Sequence, residues 1–171
     1  MRAATEGIPH RSVELCGMAC LVAGREDLHA LLSRLRDLAG FESVTFITGV
    51  DHLASQSTEP RFEVVYQLLS IQDNQRVRVR VPLRSDDARL PSCVDLWPGA
   101  GFMERECYDM FGIVFEGHLG LKRLLMPEDY DHHPLRKDFP HQGIEPDRLY
   151  REWDRKRRKD TPFAAGAGGA R

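Results

Sequence analysis

Apolar residues recur along the first two-thirds of the chain with two different periods, and the period changes at turn-forming residues. From 11 to 22 (RSVELCGMACLV), Val13, Leu15, Ala19 and Leu21 alternate with other residues and predict a strand, with Gly17 marking a bend or turn. Leu28, Leu31, Leu32, Leu35, Leu38 and Ala39 then recur at helical spacing and form one stripe. Glu26 and Asp27 fall in the first turn of that helix, where its dipole favours acids, and Gly40 provides a stop. Val44 to Val50 is β-branched and predicts a second strand, and Asp51 to Pro60 is polar and predicts a loop. Phe62 to Ile71 is apolar on both faces, as a strand central to its sheet would be. Asp73-Asn74 make a tight turn, after which Val77, Val79 and Val81 face inward while Arg76, Arg78 and Arg80 form a basic row outside. These two strands form an antiparallel hairpin, and Pro82 is expected to end the ladder.

The second half is patterned differently. Pro91 to Trp97 predicts a short helical turn, broken by Pro98-Gly99-Ala100-Gly101. Phe102 to Phe111 predicts a helix with Met103, Cys107, Met110 and Phe111 on one face and Gly112 as its stop, followed by a short strand from Ile113 to Phe115. Beyond Gly117 the periodicity fails, and prolines stand at 127, 134, 140 and 146. Such a segment has little core of its own and must be held by the body of the domain or by a partner. Leu121, Leu124, Leu125 and Phe139 would be exposed if it detached. Asp147 to Lys159 reads as a last helix, and the end, AAGAGGAR, as disordered. The expected organisation is an α/β (α+β) domain over 1–117, a mixed β-sheet flanked by helices. A long extended C-terminal tail with a short terminal helix follows over 118–160, and a disordered end over 161–171.

Composition narrows the classes without choosing among them. A chain of 171 residues, 42% hydrophobic and 29% charged, suits one domain with a real core. A net charge of -2 gives no global pull toward nucleic acid or an anionic membrane. No apolar run approaches the roughly 20 residues that span a bilayer, and MRAATEGIPHRS lacks the apolar stretch of a secretory signal, so a cytoplasmic setting is expected. Cys16, Cys20, Cys93 and Cys107 form no CxxC pair and are expected to be buried free thiols, Cys16 and Cys20 on one face of a strand.

Several segments look like chemistry. Glu104, Arg105, Glu106 and Asp109 crowd one helix, but Glu104 and Glu106 are about 200° apart around its axis and cannot share a proton or a metal. Arg105 and Asp109 are spaced to pair with each other. No nucleophile joins them, which favours a charged face or a partner-orienting network over catalysis. His118, Asp129, Asp131, His132, His133 and His141 are dense enough to suggest a metalloenzyme, but no HExxH helix organises them, and surface histidines are the default. The outward arginines form either a solvated face or a dock for an acidic partner. The run Arg155 to Lys159 is diluted by neighbouring acids and lacks any nucleic-acid motif.

Taken together, ERECYDMFGI at 104–113, His118, Lys122-Arg123-Leu124-Leu125, Pro127-Glu128-Asp129 and Pro134 to Pro140 (PLRKDFP) resemble the C subunit of the proton-pumping NADH:quinone oxidoreductase, respiratory complex I. Phe62 to Ser70 with Asn74 and the Arg-Val alternation is similar to that family's central hairpin. The chain departs from the pattern at Leu119, Tyr130 and His132, all in the tail. The resemblance implies a non-catalytic structural subunit with no flavin, iron–sulfur cluster or metal of its own, inside a complex that carries FMN and iron–sulfur clusters and uses NADH and quinone. It also implies a peripheral position on the cytoplasmic face of the inner membrane, reached only through the complex. The expected neighbours are the hydrogenase-like quinone-site subunit and the cluster-bearing subunits of the peripheral arm, in a hetero-oligomer without nucleic acid, and the tail over 118–160 is expected to wrap and pack on these partner subunits. The residues expected to form an interfacial polar network are Glu104, Arg105, Glu106, Asp109, His118, Lys122, Arg123, Arg136, Lys137 and Asp138. The competing readings are a homologous subunit of a ferredoxin-fed NDH-like or hydrogenase complex, a stand-alone metal enzyme built on the histidine-rich tail, and a nucleic-acid-binding module.

Overall fold

A computed structural model describes residues 2–53, 59–144 and 155–156. After a single 3-10 turn at Arg2–Thr5, the chain forms β1 (His10–Leu15), β2 (Met18–Ala23), α1 (Arg25–Asp37), β3 (Ser43–Asp51), β4 (Phe62–Ser70) and β5 (Gln75–Leu83). It continues with β6 (Arg89–Pro91), α2 (Ala100–Phe111) and β7 (Val114–Glu116). The five long strands make one mixed sheet in the order β1-β2-β5-β4-β3, in which β2 and β5 are parallel and the other neighbours antiparallel. β6 and β7 pair in parallel as a separate ribbon.

The expected single strand from 11 to 22 is two strands. Leu15 pairs with Met18, and the two residues between them, Cys16 and Gly17, both have positive φ (52° and 74°), the backbone that a two-residue hairpin turn requires. Cys16 therefore sits exposed at the turn tip, whereas Cys20, Cys93 and Cys107 are buried. Cys16 and Cys20 do not share a strand face, and three of the four expected buried thiols are buried. Pro82 does not end β5; it pairs with Glu63 at a point beyond the last residue that β5 pairs with β2, where its missing N–H breaks no bond to that strand.

Both helices lie on one face of the sheet. Leu28, Leu31, Leu32 and Leu35 of α1 are wholly buried in the same cluster as Leu21, Tyr66, Val77 and Val79. α1 stops because Gly40 (φ 70°) turns the chain so that the Phe41 N–H reaches back to the Leu35 carbonyl at 3.0 Å. α2 crosses β3, and Gly49 is what lets it come so close: a Cβ there would meet the Phe111 ring at 2.7 Å. β4, expected at the centre of the sheet, is an interior strand between β3 and β5, and β5 is the central one.

Residues 117–144 contain turns but neither helix nor strand, as the loss of periodicity predicts. They run over α2, with Leu121 and Met126 packed against the core and Tyr130 buried. Leu125 is exposed even with the segment docked. The last helix expected at Asp147–Lys159 and the end at 161–171 lie outside the described residues, save Arg155 and Lys156, which are helical and exposed.

Candidate docking site at the second helix

A helix leaves its last four carbonyls without partners inside itself. α2 ends at Gly112, whose left-handed backbone (φ 73°) returns its N–H to the Tyr108 carbonyl at 2.8 Å. The other three carbonyls are taken by the tail. Asp109 O accepts from His133 Nδ1 at 2.9 Å, Met110 O from the Leu135 N–H at 3.1 Å, and Phe111 O from Arg136 Nε at 2.6 Å. Arg123 and Arg136 thus bring positive charge to the end where the helix dipole is negative. Glycine suits position 112 twice over, because its backbone is left-handed and a Cβ there would crowd the Arg136 guanidinium and the His133 ring.

Two of the three acids of α2, Asp109 and Glu104, are also spent on other segments of the chain. Asp109, fully buried, accepts from the N–H groups of Leu124, Leu125 and Met126 at 3.0, 2.7 and 2.9 Å and from Arg123 Nη1 at 2.7 Å. Burial pushes this carboxyl's pKa up, but the three N–H donors and Arg123 outweigh that and hold it below the usual range. Arg123 Nη1 also donates to His132 O at 3.1 Å, and its guanidinium stands 5.7 Å from the Tyr130 ring. Glu104 is buried on another side of the helix, accepting from Ser92 Oγ at 2.6 Å and the Cys93 N–H at 2.8 Å. It fastens the turn after β6 to α2.

The expected pairing of Arg105 with Asp109 is not made. Arg105 Nε and Nη2 donate instead to the carbonyls of Lys122 and Arg123 at 3.1 and 2.8 Å, because Asp109 points into the tail and is already saturated. Glu106 is exposed, and Lys122 contributes only its carbonyl. His118 is held as one tautomer: Nδ1 accepts from the Gly120 N–H at 3.0 Å, so Nε2 donates to Gly101 O at 3.2 Å.

A second anchor centres on Asp51, at the end of β3, which the sequence placed in a loop. Its buried carboxylate takes both forks of Arg61 at 3.1 and 2.8 Å and the N–H groups of Leu53 and Lys137 at 3.0 and 2.8 Å. Burial raises its pKa, but Arg61 and the two N–H donors win and bring it to about 2. Arg61 also reaches Asp138 at 3.0 Å. Arg61 and Arg136 both stand against the Phe62 ring, at 4.7 and 5.3 Å. The Lys137 side chain is exposed; its part in the anchor is its backbone.

Of the ten expected residues, Glu104, Arg105, Asp109, His118, Arg123, Arg136, Lys137 and Asp138 tie the tail or the preceding turn to the body, while Glu106 and the Lys122 side chain face outward. Asp51, Arg61 and Ser92 were not expected, and His133 was expected only as a candidate metal ligand. The available signal for Asp51 was an acid closing a β-branched run. Among the described residues no three His, Cys, Asp or Glu side chains converge as metal ligands. His118 and His133, two of the candidate ligands, spend ring nitrogens on backbone groups. Cys107 is an inert thiol, pushed up to about 12 mainly by burial.

Comparison with known proteins matches the chain to a family. The model of the respiratory-chain NADH dehydrogenase 30 Kd subunit matches residues 21–145, which take in both anchors and the tail as far as residue 145. A curated relative from Citrifermentans bemidjiense, named as the C subunit of NADH-quinone oxidoreductase, is 44% identical over 135 residues, covering 79% of this chain and 81% of its own. One of the same name from Herpetosiphon aurantiacus is 46% identical over 126 residues, covering 72% of each chain. Among solved structures, a trypsin-resistant fragment (1-134) of Nqo5 is 40% identical, covers 70% of this chain and 94% of its own, and superposes with a TM-score of 0.60. A chain of the archaeal membrane-bound sulfane sulfur reductase, 24% identical, shares the fold with a TM-score of 0.65 over 91% of this chain and 88% of its own. The chain belongs to the family of the respiratory-chain NADH dehydrogenase 30 Kd subunit.

Proposed function

We propose that this chain is a non-catalytic structural subunit in the peripheral arm of an NADH:quinone oxidoreductase. The assembled complex passes electrons from NADH through FMN and iron–sulfur clusters to quinone and couples this to proton translocation. The observation that carries the reading is the family match along 21–145. The site chemistry supports it: the buried acids of α2, Glu104 and Asp109, spend their lone pairs on backbone N–H groups of this chain and on Arg123 and Ser92, which suits fastening a surface rather than moving protons to a substrate. No described helix is long and apolar enough to cross a membrane, so attachment to one would run through other subunits.

The docked tail then presents its outer side to the neighbours, the hydrogenase-like quinone-site subunit and the cluster-bearing subunits. Leu119, Leu125 and Leu135 stand exposed there, and Phe102 is exposed on α2. In this reading Asp109 and Asp51 hold that surface in shape before partners arrive, which lowers the ordering cost of assembly.

The test is to tag the chain in its own host, solubilise membranes in mild detergent and identify co-purifying proteins by mass spectrometry. The expected result is recovery of hydrogenase-like, iron–sulfur and membrane-arm subunits, with a flavin- and NADH-binding module fixing the donor as NADH. A ferredoxin- or hydrogen-linked module would reassign the donor, and a tagged chain found alone in the soluble fraction would overturn the reading.

A further inference from the structure

With α1 and α2 both on one side of the sheet, the other side is covered by no described element. Sheet faces that meet water carry polar side chains at alternate positions. This one does not. The register lines up cross-strand rows: Val13, Cys20, Arg78, Gln67 and Phe46 form one, and Arg11, Val22, Arg80, Val65 and Thr48 the next. Leu15 and Met18 extend the apolar area at the β1–β2 turn. Val13, Leu15 and Phe46 are 40%, 41% and 44% exposed. The arginines of the central strand thus stand as a spine with apolar side chains on both flanks.

The charge on this face is one-sided. Glu63 is its one acid within those strands, and it is committed to Arg80 and His52. Arg78 has only the neutral Gln67 amide, at 3.3 Å, and no described carboxylate lies within 4.0 Å of Arg11, Arg76 or Arg78. Alternate residues of a strand are about 7 Å apart, so Arg76 and Arg78 are spaced to meet acids on successive turns of a helix or at alternate positions of a strand.

We propose that this open sheet face is a second docking surface, separate from the tail, and that its occupant is an acidic segment of a neighbouring subunit, with carboxylates over Arg76 and Arg78 and apolar residues over Val13, Leu15 and Phe46. Planar guanidinium forks favour carboxylates. The apolar side chains include no Trp or Tyr and flank a row of arginines, which suits a packed protein surface better than a lipid interface. The inference rests on the subunit reading above, and the subunit would then be gripped on two opposite sides.

The test uses the tagged full chain in its host with Phe46→p-benzoylphenylalanine, a photo-crosslinker that lengthens the existing exposed ring. The expected result, on irradiating the purified complex, is an adduct with another subunit at a segment containing Asp or Glu. In parallel, Arg76→Glu/Arg78→Glu lowers recovery of the chain in the complex by at least about tenfold, as like charges would, while Arg76→Lys/Arg78→Lys retains most of it. No adduct, a lipid adduct, an adduct to a segment without acids, or full assembly of the Glu/Glu variant overturns the proposal. If the unaltered tagged chain recovers no complex at all, the failure belongs to the subunit reading instead.

Discussion

The two helices are almost the same length and lie on the same face of one sheet, yet they are held by different physics. α1 buries four leucines and faces its charges to solvent. α2 buries Ala100, Cys107, Met110 and Phe111 but also two carboxylates, Glu104 and Asp109. The first helix is fixed by area removed from water, which is non-directional and tolerant of small changes of partner. The second is fixed by donors aimed at particular oxygens, and those donors come from chain segments far along the sequence. An apolar stripe needs only a core to lie on, whereas a buried carboxylate needs a specific neighbour, and here the neighbours are the turn after β6 for Glu104 and the tail for Asp109.

Asp109→Ala should separate the two modes most widely. It strands three N–H groups and the Arg123 guanidinium, which is 10% exposed, and removing one partner of a buried pair costs about 3–5 kcal/mol. The loss should appear as rapid amide hydrogen exchange and proteolysis over 118–144 with the sheet still folded. Uniform loss across the whole chain would show that the tail is not a separable unit. Leu32→Ala in α1 is the counterpart: about 2–5 kcal/mol, lost globally, read as a lowered denaturant midpoint with no preferential opening of the tail.

Asp51 sharpens the contrast through pH. Its folded pKa is about 2, depressed from the ordinary 3.8, so its contribution is complete above about pH 4 and is lost as the pH falls through 2. The shift corresponds to about 2 kcal/mol. A tail-specific opening between about pH 4 and 2, absent from Asp51→Asn because that variant is already weakened at neutral pH, is the expected hydrogen-exchange result. An unaltered acid profile in Asp51→Asn would remove Asp51 from the anchor.

The same distinction explains what was legible in the sequence. The α1 stripe, the β4–β5 hairpin and the strict Val77, Val79, Val81 alternation could be read because burial imposes a period. The outward arginine row could be read too, but Arg80's commitment to Glu63 could not, since it depends on the neighbouring strand's register. The β1–β2 turn was blurred because Cys16, a residue without turn preference, adopts left-handed backbone beside Gly17. The crowding of Glu104, Arg105 and Asp109 marked the site, but their partners did not follow from helical spacing. Ser92, His133 and Arg61 act through contacts 12 residues (Ser92 to Glu104), 24 (His133 to Asp109 O) and 10 (Arg61 to Asp51) away, and no local pattern encodes such distances.

The smallest effect is the most discriminating, because here the helices are alike. Each uses an arginine to clip a neighbouring segment's carbonyl: Arg36 Nη1 holds Leu96 O at 3.0 Å, and Arg105 holds the carbonyls of Lys122 and Arg123. Both are half-exposed, so truncation to alanine should cost only about 1 kcal/mol. Arg36→Ala should lower stability slightly and leave assembly untouched, since its carbonyl belongs to the body. Arg105→Ala should speed exchange at the Leu124 to Met126 amides several-fold and, if the proposed subunit reading holds, reduce incorporation into the complex by more than its small effect on stability, because in that reading the segment it clips is the one offered to partners. If Arg105→Ala matches Arg36→Ala in assembly and in quinone reductase activity, Arg105 has no part in docking, and the anchor reduces to Asp109 and Asp51.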